Sequence, residues 1–403
     1  MLPASVFAFA IVWLQSPPSS VPASTTAERL EALESLEKVG KRSPPREVRE
    51  RLQAKLDALH HAGRFPGATL GVASAQDEPL ALVVGVADRE RNIAMKPGDR
   101  MLQGSVGKTY VAAVALQLVS EGKIALDSKI ETWLGKEPWF ARLPNAHDIT
   151  VRMLMRHQSG LVRYEFKPEF TRELVAKPDR TWKPAELVAF LLDEKPPFAA
   201  GKGWDYSDTN YIVLGMIVER AGGAALNAQI ENRLLKPLEL RDTVPSDRRR
   251  ISGLVQGYAG DRDPLGLPDR VLEAGEFVIN PQFEWAGGGW ASTAADLALW
   301  ARALYGGEVL DAARKAEMLD AVDAPMLGRD AKYGLGVIVR PTATGTLLGH
   351  SGFFPGYVTE MWYSPERKAA VALQVNTSAF GAVGKPPAAV AQELLQIVSE
   401  SGN

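Results

Sequence analysis

Apolar residues run unbroken from Val6 to Leu14, and no Lys, Arg, Asp or Glu occurs in the first 23 positions. A Pro/Ser-rich stretch then leads to Val21-Pro22-Ala23, the small-x-small pattern of a cleavage site. So short an apolar run cannot span a bilayer as a helix, and residues 1–23 read as a secretory signal peptide. The only positive charge ahead of the run is the chain's own amine. Helical spacing follows over 27–39 until Gly40 and Ser43-Pro44-Pro45 break it, so 24–46 reads as an N-terminal helix and linker. The remainder, 47–403, is expected to form one domain.

Within that domain, apolar positions from Arg46 to Gly63 predict a helix whose basic residues, interspersed with acids, form a solvated face. Ala68–Ala73 and Leu80–Ala87 read as adjacent antiparallel strands. Helical spacing returns over 107–121, 184–193, 211–220, 294–305 and 387–398. Strand-like runs occupy Tyr333–Val339, Thr346–Gly349, Val358–Tyr363 and Ala369–Val375. Strands at both ends with helices between them predict an α+β fold. One antiparallel sheet is built from the two chain ends with flanking helices, and the middle forms a mostly helical lobe.

Composition narrows the function. Lys plus Arg number 46 against 48 Asp plus Glu, a net charge of -2, which gives no drive toward nucleic acid. The absence of cysteine excludes disulfides, thiolate metal sites and a thiol nucleophile. It is compatible with an oxidising periplasm, which permits disulfides without requiring them. His147 and His157 lack the His-Glu-x-x-His pattern, and neither metal nor other cofactor is expected. No later run is long and apolar enough for a membrane span, so no stable insertion is expected once the leader is removed.

Gly104-Ser105-Val106-Gly107-Lys108-Thr109, just ahead of a helical pattern, admits two readings. A phosphate-binding loop would need glycine where Leu102 stands, and a buried strand where a turn is read. The other reading is Ser-x-x-Lys, with Ser105 at a helix start and Lys108 one turn on, on the same face. A neighbouring amine makes a serine hydroxyl reactive, and free N–H groups at a helix N-terminus suit a developing oxyanion. Tyr206-Ser207-Asp208 lies between helical segments; extended geometry points Tyr206 and Asp208 the same way. Gly349-His350-Ser351-Gly352-Phe353 carries small residues that let a substrate lie along a strand edge. Each residue also has a structural reading: Ser105 and Asp208 as helix caps, Tyr206 as core, His350 bonded to backbone. Trp285 and Trp290, flanking a glycine triplet, are candidate cleft walls.

Taken in order, Ser105-Val106-Gly107-Lys108, Tyr206-Ser207-Asp208 and His350-Ser351-Gly352 resemble the three motifs of the class C β-lactamase and DD-peptidase family of serine hydrolases. Leu154–Leu161 and Gly287–Thr293 are similar too, and the resemblance covers roughly 48–398. It implies a β-lactamase/transpeptidase-like fold and an acyl-serine mechanism. Ser105 is then the nucleophile, and Lys108 and Tyr206 move its proton to the leaving group. The backbone N–H groups of Ser105 and Phe353 form the oxyanion hole. Asp208, His350, Ser351, Gly352 and Phe353 become substrate-binding residues, and the partner is a small molecule or peptide. Two departures stand out. Asp208 replaces the asparagine usual in the family's β-lactamases, and His350 replaces a lysine. The histidine is more like certain DD-peptidases and D-amino-acid peptidases. The expected reaction is hydrolysis of a D-amino-acid peptide or β-lactam amide. A carboxylesterase, or a penicillin-binding sensor that stays acylated, are the alternatives.

Overall fold

The computed structural model describes residues 43–399 apart from Gln76, Arg262 and Phe380. The expected signal peptide and the expected helix over 27–39 lie outside the described residues. Helix α1 (Arg46–Ala62) precedes three strands, β1 (Gly67–Ser74), β2 (Leu80–Asp88) and β3 (Ile93–Ala94). Helices α2 (Lys108–Ser120), α3 (Asp208–Gly222) and α4 (Ala294–Gly306) follow. The chain then returns through β4 (Val322–Asp323), β5 (Lys332–Tyr333), β6 (Ile338–Thr342), β7 (Gly345–Phe354), β8 (Tyr357–Ser364), β9 (Ala369–Val375) and α5 (Pro387–Ser399).

These strands form one antiparallel sheet in the order β3-β2-β1-β9-β8-β7-β6-β5-β4. The first and last long strands pair inside it, where Ala68 lies opposite Val375 and Val72 opposite Val371. One face packs on α1 and α5, with Val48, Leu52, Leu56, Val390 and Leu394 all buried against it. The other face receives α4, and Gly71 lies so close that a Cβ there would be 1.9 Å from the Ala294 carbonyl oxygen. Thr293 caps α4 through the Asp296 N–H, and left-handed Gly307 ends it. In contrast, α2 is buried on nearly every side, as an apolar helix inside a helical lobe should be.

Three elements differ from the sequence reading. The run Tyr333–Val339 is broken into β5 and β6 by a tight turn in which the Gly334 N–H bonds the Val337 carbonyl. The third motif, which begins past the end of the predicted run Thr346–Gly349, lies inside a ten-residue strand that continues to Phe354. Its glycines weaken the strand pattern because β7 needs close neighbours: a Cβ on Gly349 would meet the Met361 oxygen at 2.0 Å. The helix over 184–193 stops at Ala189.

Candidate active site

Ser105 stands in a short 3-10 turn, Gly104–Gly107, that runs straight into α2. Gly104 has φ 53°, and a Cβ there would lie 2.3 Å from the Phe353 oxygen, so only glycine lets the turn rest on β7. Gly352 presses on the same turn, its missing Cβ 1.9 Å from the Gln103 oxygen. Two glycines thus bring the serine turn and the third motif backbone to backbone.

Lys108 is completely buried. Its Nζ donates to Ser105 Oγ at 2.9 Å, to the Gly287 carbonyl at 2.5 Å and to Asp208 Oδ1. An ammonium has three N–H bonds, and here all three are used. Burial alone would push this amine toward neutrality, but the Asp208 carboxylate, with Tyr206 and Glu284, holds its pKa well above the ordinary value. Lys108 therefore rests as a saturated cation. The Gly287 carbonyl gets there because Gly107 and Gly288 pack without side chains, a Cβ on Gly107 being 2.9 Å from Gly288.

Asp208 opens α3 but does not cap it, since its carboxylate bridges two cations: Lys108 on Oδ1 and Arg163 Nη2 on Oδ2 at 2.8 Å. Burial would raise its pKa; Lys108, the neighbouring Glu165 carboxyl and Arg163 outweigh that and hold it far below the carboxylate range. Arg163 also donates to Glu165 at 2.6 Å and stacks on Phe166 with 4.2 Å to the ring centroid. Burial and the Asp208 charge push Glu165 well up and Glu284 to about 8, so Glu284 is mostly protonated at neutral pH.

Ser207, between Tyr206 and Asp208, is extended (φ -146°, ψ 125°). The alternation turns both neighbours toward the serine while Ser207 Oγ bonds the Val162 carbonyl. The Tyr206 ring centroid is 5.1 Å from Lys108 Nζ. Its hydroxyl is buried and makes no hydrogen bond. Burial raises the Tyr206 pKa against the opposing pull of Lys108 and Ser105.

The third motif is placed differently from expectation. His350 is buried, its Nδ1 donating to the Ser351 carbonyl at 2.6 Å and its Nε2 accepting from the Tyr333 hydroxyl at 2.9 Å. A carbonyl can only accept, so the imidazole is the neutral Nδ1–H tautomer. Burial and the Lys108 charge push its pKa down to about 3. Neither nitrogen is left for a substrate, and His350 does not suit a carboxylate-binding role. Ser351 stands on the opposite face of β7 from His350, donates to Glu360 at 2.8 Å and does not line the cleft over Ser105. Gly352 contributes only its lack of a side chain.

A cleft of about 330 Å³ opens over Ser105, lined on its polar side by Arg163, Glu165, Asp208 and Glu284. Its apolar wall includes Phe166, Leu265, Phe283 and Phe353. Of the expected site residues, Ser105, Asp208 and Phe353 line this cleft, and Lys108 and Tyr206 lie directly behind it. Arg163, Glu284 and the Gly287 carbonyl join them without having been foreseen. Trp290 is instead buried against Tyr110, and Trp285 packs on Gly215. Among the described residues, no group of three or more His, Cys, Asp and Glu is arranged to hold a metal. No described helix is long and apolar enough to cross a membrane.

A sheet closed by both chain ends, with a lysine-bonded serine where it meets a helical lobe, defines a serine hydrolase. The chain belongs to the β-lactamase family, whose model matches residues 50–395. It is 27% identical over 338 residues to Penicillin-binding protein 4* of Bacillus subtilis, covering 81% of this chain and 71% of that protein. It is 30% identical over 231 residues to Esterase EstB of Burkholderia gladioli, 55% of this chain and 57% of the esterase. A solved D-stereospecific amidohydrolase from Streptomyces superposes with TM-score 0.70 at 28% identity, over 89% of this chain and all of the other.

Proposed function

We propose that the protein is an exported hydrolase that cleaves an amide bond of a D-amino-acid peptide or amide through an acyl-serine intermediate. The carrying observation is the 2.9 Å bond from Lys108 to Ser105 Oγ beside a buried, unbonded Tyr206 hydroxyl. Because Lys108 has no vacancy for a proton, its role is electrostatic, and Tyr206 is the relay. As Ser105 Oγ forms its bond to the carbonyl carbon, its proton passes to the Tyr206 oxygen. The phenol's own proton passes to the leaving nitrogen as the C–N bond breaks, so no phenolate accumulates. Lys108 stabilises charge growing on both oxygens. The Ser105 and Phe353 N–H groups receive the oxyanion, and water repeats the relay in reverse to free the acyl group. Similarity to a D-stereospecific amidohydrolase supports the substrate class, and the leader pattern supports export to the periplasm.

A carboxylesterase is the second reading. The cleft wall is largely apolar, and Arg163 already bonds Asp208 and Glu165, which favours an acyl donor without its own carboxylate. A panel of D-amino-acid amides, D-Ala-D-Ala peptides, penicillins and short nitrophenyl esters tests both. Amide turnover lost in Ser105→Ala supports the proposal, and ester turnover alone supports the second reading. A penicillin label persisting for hours would replace both with an acylated sensor.

A further inference from the structure

The segment Leu154–Leu161 holds a residue that this chemistry leaves unused. His157 is fully buried, and its backbone is left-handed at φ 61°. A side-chain-bearing residue stays there only where its surroundings over-determine it. Three contacts do so. Its carbonyl accepts the Asp205 N–H at 3.1 Å, its Nδ1 accepts the Ser207 N–H at 3.2 Å, and Asn210 Nδ2 lies 3.0 Å from the same nitrogen. Asn210 has its oxygen bonded by the Ser159 hydroxyl at 2.5 Å, so its amide N–H faces the imidazole as a donor. An imidazole that accepts at Nδ1 carries its proton on Nε2 and is neutral. Burial, reinforced by the Lys108 charge, keeps it neutral.

The ring lies 4.2 Å from the Tyr206 ring, tilted by 36°, with the Tyr333 ring 4.7 Å away. The two backbone groups that His157 grips, at Asp205 and Ser207, flank Tyr206 on either side. His157 does not line the cleft. We propose that His157 is a positioning residue for Tyr206, fixing by backbone grip and ring contact where the phenol hydroxyl stands relative to Ser105. The inference rests on Tyr206 being the relay, and its test separates the two claims.

The test is a double-mutant cycle between His157 and Tyr206, with active sites counted by a phosphonate ester that labels Ser105. His157→Asn keeps an acceptor near the Nδ1 position but removes the ring; His157→Phe keeps the ring but strands the Ser207 N–H. In the wild-type background each variant should lower kcat by about tenfold or more while KM stays within about twofold, as expected for displacing a reacting group by ~1 Å. In Tyr206→Phe, the same changes should alter the remaining kcat by less than about threefold, because the hydroxyl they position is gone. Equal losses in both backgrounds, or wild-type kcat per labelled site, overturn the inference. Near-wild-type activity of Tyr206→Phe alone overturns the relay itself, and the inference with it. Should neither His157 variant fold, Ser159→Ala frees Asn210 while keeping the imidazole. A loss of about threefold or more that vanishes in Tyr206→Phe supports the proposal, and no loss overturns it.

Discussion

Replacing Asp208 by asparagine removes the single anion that two cations share. Its oxygens meet Lys108 on one side and Arg163, at 2.8 Å, on the other, and the side chain is 10% exposed. An asparagine offers one acceptor oxygen and one donor nitrogen, so one cation keeps a bond and the other faces an N–H group. Breaking a buried ion pair by deleting one member costs about 3–5 kcal/mol, mainly because a charge is left unpaired. The folded-state pKa of Asp208 is depressed, so its contribution is complete above about pH 5 and declines as pH falls through the unfolded value near 4 toward the folded one. That of Lys108 is raised, so its contribution is complete below its unfolded value near 10.4 and declines as pH rises through the folded one. Urea unfolding should therefore show the whole loss across about pH 5–9, and a loss smaller by about 1.4 kcal/mol per unit below pH 4. Without its counter-charge, buried Lys108 should also lose its proton more readily, moving the alkaline limb of kcat/KM to lower pH. A stability loss under about 1 kcal/mol at pH 7, with that limb unmoved, would refute the bridging role of Asp208.

Tyr206→Phe should cut kcat by about two to four orders of magnitude, the span for a proton-transfer group; a loss below threefold, by burst-calibrated kinetics, removes it from the relay. His157 and His350 are both neutral when folded, with pKa values below the unfolded value near 6.5. Their stabilisation is complete above that pH and is lost as pH falls toward the folded values, by about 1.4 kcal/mol per unit for each histidine. His350→Gln should remove one such increment from the slope of unfolding free energy between about pH 6 and 4, and an unchanged slope would contradict the assignment. Since His350 stays neutral, the rate ratio of a carboxylate-bearing substrate to a neutral ester should not follow a histidine titration between about pH 5.5 and 8.5; a fall centred near 6.5 would return it to the substrate.

The clustering of Ser105, Lys108, Tyr206 and Asp208 was readable because its signals are local. Ser105 and Lys108 are one helical turn apart, and Tyr206 and Asp208 are spaced for one side of an extended segment. Arg163 was not readable, because it reaches Asp208 across 45 positions and resembles any surface arginine. The Gly287 carbonyl, 179 positions from Lys108, has no side chain to announce it. The neutrality of His350 depends on burial and on Tyr333, neither visible in its own motif. Ser351 is different: strand alternation already sets it opposite His350, and that signal was present in the spacing. The glycines of β7 obscured the strand for the same reason that they matter. Residues that let two backbones meet carry little strand propensity.

The two departures from the lactamase pattern, Asp208 and His350, belong to one electrostatic arrangement. A lysine at position 350 would add a second cation behind the serine, where a neutral imidazole now sits. An asparagine at 208 would leave Lys108 without a counter-charge. Here the anion is present and Arg163 supplies the second cation from the opposite side, on the wall of the cleft itself. With Glu284 largely protonated and Glu165 pushed well up by burial and the Asp208 charge, Lys108 and Arg163 face Asp208 as the one carboxylate held far below its usual range. Positive potential at the oxyanion is thereby retained, while the cation that would hold a substrate carboxylate is replaced by one already bonded to two acidic groups. A site so arranged can stabilise acylation by any carbonyl that reaches Ser105, but offers little to a carboxylate. Its discrimination must then come from the shape of the apolar wall and from the two buried carboxyl groups facing it.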